Sequence, residues 1–208
     1  MKWIFFSYTL PSEPSKARVF VWRQLKKLGA ISFQTLWVLP RSPEKIAELN
    51  KLIEVIRQYK GEGLLIEGKA MGKDQDEKIT RAFMESRNEE YTEVIEQCAD
   101  FMKEIEFEIG RKNFIFAEVE VNEKEIEKLK QWLRKVEMRD VIGSPLRKTA
   151  LQKMKNCEKV FDDFAKIVFL HAQNKKRTEK ADRKRITRDK KSRNNRFQDT
   201  SSTKENIL

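Results

Sequence analysis

The first 72 residues alternate between short runs of aromatic and β-branched residues and longer segments whose apolar residues recur every three or four positions. Proline or glycine separates each run from the next. The short runs predict strands at Trp3–Leu10, Ile31–Leu39 and Leu64–Met71, and the longer segments predict helices at Lys16–Leu28 and Pro43–Tyr59. Strands that alternate with helices predict a sheet with helices packed on at least one face.

After this region the apolar spacing is helical throughout. One period runs over residues 74–109, a second follows a start at Asn122 and Glu125 that resembles a capping box, and a third follows Ser144 and Pro145. Short loops between such segments favour helices that lie side by side. We expect these three helices to pack as a bundle.

Positive charge is concentrated at the two ends of the chain, whose net charge is +11. Residues 1–72 hold 12 Lys and Arg against 6 Asp and Glu, and residues 175–208 hold 13 against 5. The final segment has almost no apolar residues, so in isolation it cannot bury enough surface to offset its chain entropy. It is therefore predicted to be disordered, and serves either as an arm for nucleic acid or as a solubilising tail.

These patterns together predict an α+β fold with three segments. A small α/β unit covers residues 1–72, a helical extension packed on it covers residues 73–172, and a disordered basic tail covers residues 173–208.

Few residues are available for metal or cofactor chemistry. There is one histidine, His171, and the two cysteines, Cys98 and Cys157, form no CxxC pair. Because a structural zinc site needs about four nitrogen or sulfur ligands, we expect two buried reduced thiols, no metal and no cofactor. No apolar run approaches the roughly 20 residues of a membrane helix, and the opening run is interpreted as a strand, which predicts a cytoplasmic protein without a membrane partner.

A long spaced pattern fills the first 40 residues, which include SYTLPSEPSKARVFVWRQLKKLGAISFQTLWVLP. This pattern resembles the start of the N-terminal domain family of the chromate-resistance regulator ChrB. The matching residues are Tyr8, Leu10, Pro11, Glu13, Pro14, Ser15, Lys16, Arg18, Val19, Val21, Trp22, Arg23, Leu25, Lys26, Leu28, Gly29, Ala30, Gln34, Trp37, Leu39 and Pro40. Further likeness is found at Phe83, Arg87, Glu90, Tyr91, Arg139, Asp140 and Gly143.

The resemblance covers the whole chain except the basic tail. It implies a DNA-binding transcriptional regulator associated with chromate resistance, and not an enzyme. Full-length members of that family carry a second, C-terminal domain, where this chain has its basic tail. An accessory protein-binding module of a chromate resistance system is the alternative function.

A looser resemblance links the first strand, the basic helix and the second strand to the small CRISPR-associated endonucleases and to the central domain of the phenylacetate repressor PaaX. It implies a ferredoxin-like fold for residues 1–72. The endonucleases hold a metal through an acidic residue at the end of strand one, where this chain has Thr9. Because Mg²⁺ prefers carboxylates, a metal-dependent nuclease is disfavoured. Ferredoxin-like sheets often pair edge to edge, so we expect a homodimer.

The first helix carries five cations that are candidates for binding nucleic acid, namely Lys16, Arg18, Arg23, Lys26 and Lys27. Three of them recur at i, i+7 and i+11 and form a stripe about 20 Å long, which can follow several phosphates of a duplex. The alternative is an ordinary solvated face whose aliphatic stems cover Trp22 and Phe20.

Three further arginines, Arg87, Arg139 and Arg147, are candidates for holding an oxyanion effector such as chromate. The favoured alternative is that Arg87 pairs with Glu90 or with another acid between helices.

Overall fold

The fold is seen in a computed structural model that describes the backbone of residues 1–201 and the side chains of residues 1–188. The strands are β1 Trp3–Thr9, β2 Ile31–Phe33, β3 Leu36–Pro40 and β4 Glu62–Gly68. The helices are α1 Ser15–Lys27, α2 Pro43–Gln58, α3 Lys73–Gly110, α4 Phe116–Arg139 and α5 Arg147–Ser201. The mixed α+β class predicted from the sequence is confirmed.

Two compact units make up the chain. The first contains Met1–Asp100 and Glu127–Asn156, and the second contains Phe101–Ile126 and the chain from Cys157 onward. The sheet, α1 and α2 all belong to the first unit. The segment boundaries drawn at residues 72 and 172 rest on composition and stay predictions, as does the packing of α3, α4 and α5 into one bundle.

The sheet is antiparallel and has the strand order β2-β3-β1-β4. Successive side chains of a strand point to opposite faces, so each face has its own core. On one face Ile4 and Phe6 pack with α1 and α2, through residues such as Val21, Leu25 and Leu49. This core positions α1, because the buried stripe Ala17, Val21 and Leu25 turns the opposite side of the helix to solvent.

The other face of the sheet packs against the beginning of α3. Trp3 and Val38 contact Ile79 and Phe83, and all four side chains are buried. The first part of the long helix therefore belongs to the same folded unit as the sheet.

The predicted second strand over residues 31–39 is wrong as a single element. The chain reverses at Gln34 and Thr35, so that Phe33 pairs with Leu36 in a tight hairpin of β2 and β3. Gln34 has φ 55°, a left-handed conformation that such two-residue turns require and that usually selects glycine or asparagine. The turn was not predicted because neither residue is typical of it, and because aromatic and β-branched residues continue on both sides.

Two boundaries also differ from those predicted. The last strand is displaced toward the N-terminus and ends at Gly68 instead of Met71. The capping-box start at Asn122 is wrong, since Asn122 lies inside α4, is buried, and donates from Nδ2 to the carbonyl oxygen of Glu118, 2.8 Å away. A side chain that bonds to the backbone one turn earlier gives the same sequence signal without ending a helix.

The C-terminal segment is predicted to be disordered from residue 173 onward. In the structure its backbone is helical instead, because α5 continues without a break to Ser201. No proline or glycine follows Pro145, and the lysines, arginines, glutamates and alanines of this segment are good helix formers. A low apolar content disfavours tertiary burial but does not prevent a helix, and the side chains of residues 173–188 are exposed. The prediction for residues 202–208 lies outside the described residues.

Cys98 and Cys157 are buried thiols, as expected. In the part of the chain that the structure describes, no helix is both long and apolar enough to cross a bilayer.

Candidate nucleic-acid interface

Helix α1 carries the five candidate nucleic-acid-binding residues, four of them on its solvent side. It begins after Pro14 and ends with Lys26 and Lys27 in its last turn, where positive charge is favoured by the helix dipole. No acidic residue lies in its first turn. The helix therefore presents a face of one charge sign for its whole length.

All five predicted cations are exposed, and the structure shows how they are grouped. Lys16, Arg23 and Lys27 follow one stripe along the solvent side, as their spacing requires. Lys26 lies next to this stripe, whereas Arg18 lies toward the buried side and donates from Nη2 to the carbonyl oxygen of Ser12, 2.9 Å away. Arg18 thus fixes the loop that precedes the helix.

None of these five side chains forms an ion pair with another described residue. The nearest acidic influence is on α2, where the pKa of Glu48 is lowered first by its hydrogen bond to Lys51 and, to a smaller extent, by the charge of Lys27. Two cations of α2 behave differently, since Lys51 and Arg57 pair with Glu48 and Glu54. The unpaired charge is therefore a property of α1 and not of every helix of this unit.

Aromatic residues accompany the cations. Trp22 is 49% exposed and Phe20 is 42% exposed. About half of each residue is covered, and the alternative of an ordinary solvated face stays a prediction as well. An exposed indole beside cations places an apolar stacking surface next to positive charge.

A cleft of about 410 Å³ opens at the end of β1, beside α1. It is lined by Ser7, Tyr8, Thr9, Leu10, Arg18, Thr35 and Trp37. Burial raises the pKa of the Tyr8 hydroxyl, while the charge of Arg18 acts in the opposite direction. The cleft thus combines one guanidinium with several neutral hydroxyl groups.

This cleft was not predicted from the sequence. Several of its residues belong to the family-like pattern, namely Tyr8, Leu10, Arg18 and Trp37, but that pattern does not indicate a cleft. In the residues that the structure describes, no group of three or more His, Cys, Asp or Glu side chains is placed to hold a metal ion.

The three oxyanion candidates are each engaged by a carboxylate. Arg87 Nη2 lies 3.0 Å from Glu90 Oε1, Arg139 donates from Nε to Glu90 Oε2 over 3.2 Å, and Arg147 Nη2 lies 3.0 Å from Glu137. The favoured alternative for Arg87 is thus confirmed. Glu90 joins two of the candidates, while Arg147 is held elsewhere.

Arg87 is only 1% exposed, and its Nε and Nη1 atoms are enclosed without a hydrogen-bond partner among the described residues. Burial lowers the pKa of this guanidinium, and the charge of Glu90 partly restores it. Glu90 occupies Nη2 of Arg87 and Nε of Arg139 in this structure. The oxyanion role of the three arginines stays a prediction.

Comparison with known proteins gives one family. A family model described as "Protein ChrB, N-terminal" matches residues 18–175, a range that begins within α1 and ends within α5. The curated proteins contain no match to the chain.

Proposed function

Because this chain belongs to the ChrB N-terminal family, whose model matches more than half of it, we propose that it is a cytoplasmic DNA-binding transcriptional regulator that performs no catalysis. Family membership supports an association with chromate resistance. The proposed DNA binding goes beyond family membership, and it rests on the exposed cations of α1.

One observation carries the proposal: α1 presents five exposed cations that make no ion pair with the described residues. Cations that are not neutralised by neighbouring acids remain available for phosphate. Each phosphate that they neutralise releases counterions from the duplex, which gives affinity that falls as salt rises. Such contacts position a protein on DNA without selecting a base sequence.

The helical arm of α5 supplies a second cationic surface. Residues 175–188 are exposed and include Lys175, Lys176, Arg177, Arg183 and Arg185. A helix of this composition is too polar to bury, but it can follow a polyanion along its length.

The ferredoxin-like class is also part of the proposal. It is supported by the element order βαββαβ and by an antiparallel sheet in which β1 lies between β3 and β4.

Titration of a fluorescent DNA duplex at two salt concentrations, about 50 and 200 mM, tests the proposal. The variant K16Q/R23Q/K27Q removes the stripe on α1. The matched control is R41Q/K51Q/R57Q, which removes the same charge from three cations of the same unit that are already paired with Glu67, Glu48 and Glu54.

We expect the α1 variant to bind more weakly at low salt and to lose about 0.9 in the slope of log K against log salt for each phosphate contact removed. The control should retain most of the affinity and the slope. No binding by the parent protein at low salt, or equal losses in both variants, would refute the proposal. Addition of Mg²⁺ should leave the duplex uncut, and cleavage would instead indicate a nuclease.

A second candidate, an accessory protein-binding module, is favoured by a different observation. The second unit exposes large apolar side chains, including Phe107, Phe116, Phe169 and Leu170, each more than half exposed. Single exposed apolar residues are common, but several on one small unit are typical of a protein-binding surface. A complex with a purified chromate-resistance protein that Phe116→Asp abolishes, together with no affinity for DNA, would select this function.

A further inference from the structure

Strand β4 is an edge strand that lacks the usual protection. It pairs with β1 on one side, and in the described part of the chain its other side pairs with no strand. Its seven residues, EGLLIEG, include neither lysine nor proline, the residues that most often prevent an edge from pairing with another chain. The outward row of backbone N–H and C=O groups is therefore available to another strand.

The exposed side chains of β4 are apolar. Leu64 is 58% exposed and Ile66 is 49% exposed. Both point to the face of the sheet that carries Phe5, since Phe5 lies opposite Ile66 in the register of β1 and β4. Helix α3 covers this face near Trp3 and Val38 but leaves Leu64 and Ile66 open.

We propose that β4 pairs antiparallel with β4 of a second copy of this chain, about a two-fold axis that passes through Leu65. In this register Leu64 of each copy lies opposite Ile66 of the other. The two exposed apolar side chains thus form two identical cross-strand pairs, and the two sheets become one. An isologous contact of this kind closes on itself and gives a dimer.

The positions of the two glutamates are compatible with this register. With Leu65 on the axis, Glu62 lies opposite Gly68 of the second copy and Glu67 lies opposite Gly63, so no like charges oppose each other. A slip of one residue in one direction would place Glu62 opposite Glu67 twice, and a slip in the other direction would place Leu64 opposite Glu67. Either slip turns one copy over, so that Leu64 and Ile66 of the two copies no longer share a face. One neighbouring register is therefore disfavoured by like charges, and both are disfavoured by the loss of the apolar pairs.

The predicted contact is small. Two apolar pairs and one backbone ladder bury less than the roughly 1,200 Å² of a standard stable interface, so we expect a dimer with a Kd on the order of micromolar. This inference does not depend on DNA binding.

Sedimentation of the purified full chain over a concentration series up to about 100 µM tests the dimer. The variant Ile66→Lys should raise the Kd at least tenfold, since it places a charge in both apolar pairs. Val121→Lys is the matched control, because Val121 is an exposed apolar residue of α4 at 56% exposure, and it should leave the Kd unchanged. A parent protein that stays monomeric over the series, or an Ile66→Lys variant that dimerises like the parent, would overturn the proposal.

Cysteine cross-linking tests the register even if the lysine variant folds poorly. Leu64→Cys and Ile66→Cys are made separately, and the two variants are oxidised alone and as a mixture. Residues directly opposite each other have Cβ atoms about 5 Å apart, so the mixture should give much more disulfide-linked dimer than either variant alone. Equal yields in all three samples would exclude this register and with it the proposal.

Discussion

The indole of Trp3 in β1 and the ring of Phe83 in α3 stack in parallel, with centroids 5.2 Å apart and planes inclined by 13°. The indole Nε1 also donates to Asp76 Oδ1, 2.6 Å away. Trp3 therefore attaches the beginning of α3 to the sheet by one apolar and one polar contact. Both partners are far from Trp3 in sequence, so the contact forms only in the folded unit.

Removing the stacked ring should destabilise the first unit. Phe83 is 1% exposed, and Phe83→Ala would leave a cavity beside Trp3, at a cost of about 3–5 kcal/mol in the free energy of unfolding. Urea denaturation monitored by tryptophan fluorescence measures this. The control Phe107→Ala makes the same change at a residue that is 54% exposed, and it should cost far less. Equal losses for the two variants would contradict the role assigned to Phe83.

Acid should weaken the same attachment. The hydrogen bond from Trp3 and, to a smaller extent, the N-terminal ammonium group lower the pKa of Asp76 below its ordinary value of 3.8. Because its folded-state pKa is the lower one, Asp76 stabilises the fold at pH above about 4, and this contribution is lost as the pH falls through the folded-state pKa. The urea midpoint of the parent should therefore drop more between pH 7 and about pH 2.5 than that of Asp76→Asn, whose side-chain oxygen can still accept from Trp3. Parallel pH profiles would show that Asp76 does not contribute.

Glu90 holds two guanidinium groups in a partly buried site. Glu90→Gln would leave Arg87, which is almost fully enclosed, without its ion-pair partner, and we expect a loss of about 3–5 kcal/mol in the free energy of unfolding. Glu89→Gln, at the exposed neighbouring position, should have little effect. A Glu90→Gln variant as stable as the parent would mean that the arginines find other partners, and it would reopen their role toward an oxyanion.

Gly61 allows two backbone segments to approach each other. A Cβ atom at this position would overlap the carbonyl oxygen of Thr9 and crowd Ile56 and Leu10. Gly61→Ala should therefore cost at least about 2 kcal/mol, since the backbone has to shift. Gly110→Ala is the control, because a Cβ there meets no atom within 4 Å and alanine favours a helix. Thermal unfolding of both variants compares them, and a neutral Gly61→Ala would disprove the close approach.

The spacing of apolar residues and the capping residues predicted the helices that depend on neighbouring residues alone. The bounds of α2 and α3 follow closely from the helical spacing of their apolar residues and, for α2, from the cap at Ser42, whose Oγ accepts from Lys45 N. The turn at Gln34 was missed because its conformation is imposed by the pairing of β2 with β3, against the preference of the residue. The end of α5 could not be predicted from burial, because this exposed part of the helix is held by local hydrogen bonds alone.

At the site, the sequence by itself determined which cations share a stripe of α1, because helical periodicity fixes that arrangement without any partner. Only the tertiary structure decided which cations form ion pairs and which do not. Arg139 reaches Glu90, the neighbour of Arg87 in α3, across 49 residues of the chain, while the cations of α1 form no ion pair with the described residues. Helical periodicity contains no information on such distant pairs. The strand order also depends on the tertiary structure. β4 is an edge strand because β1 lies between it and β3, and this order is determined by packing on both faces of the sheet.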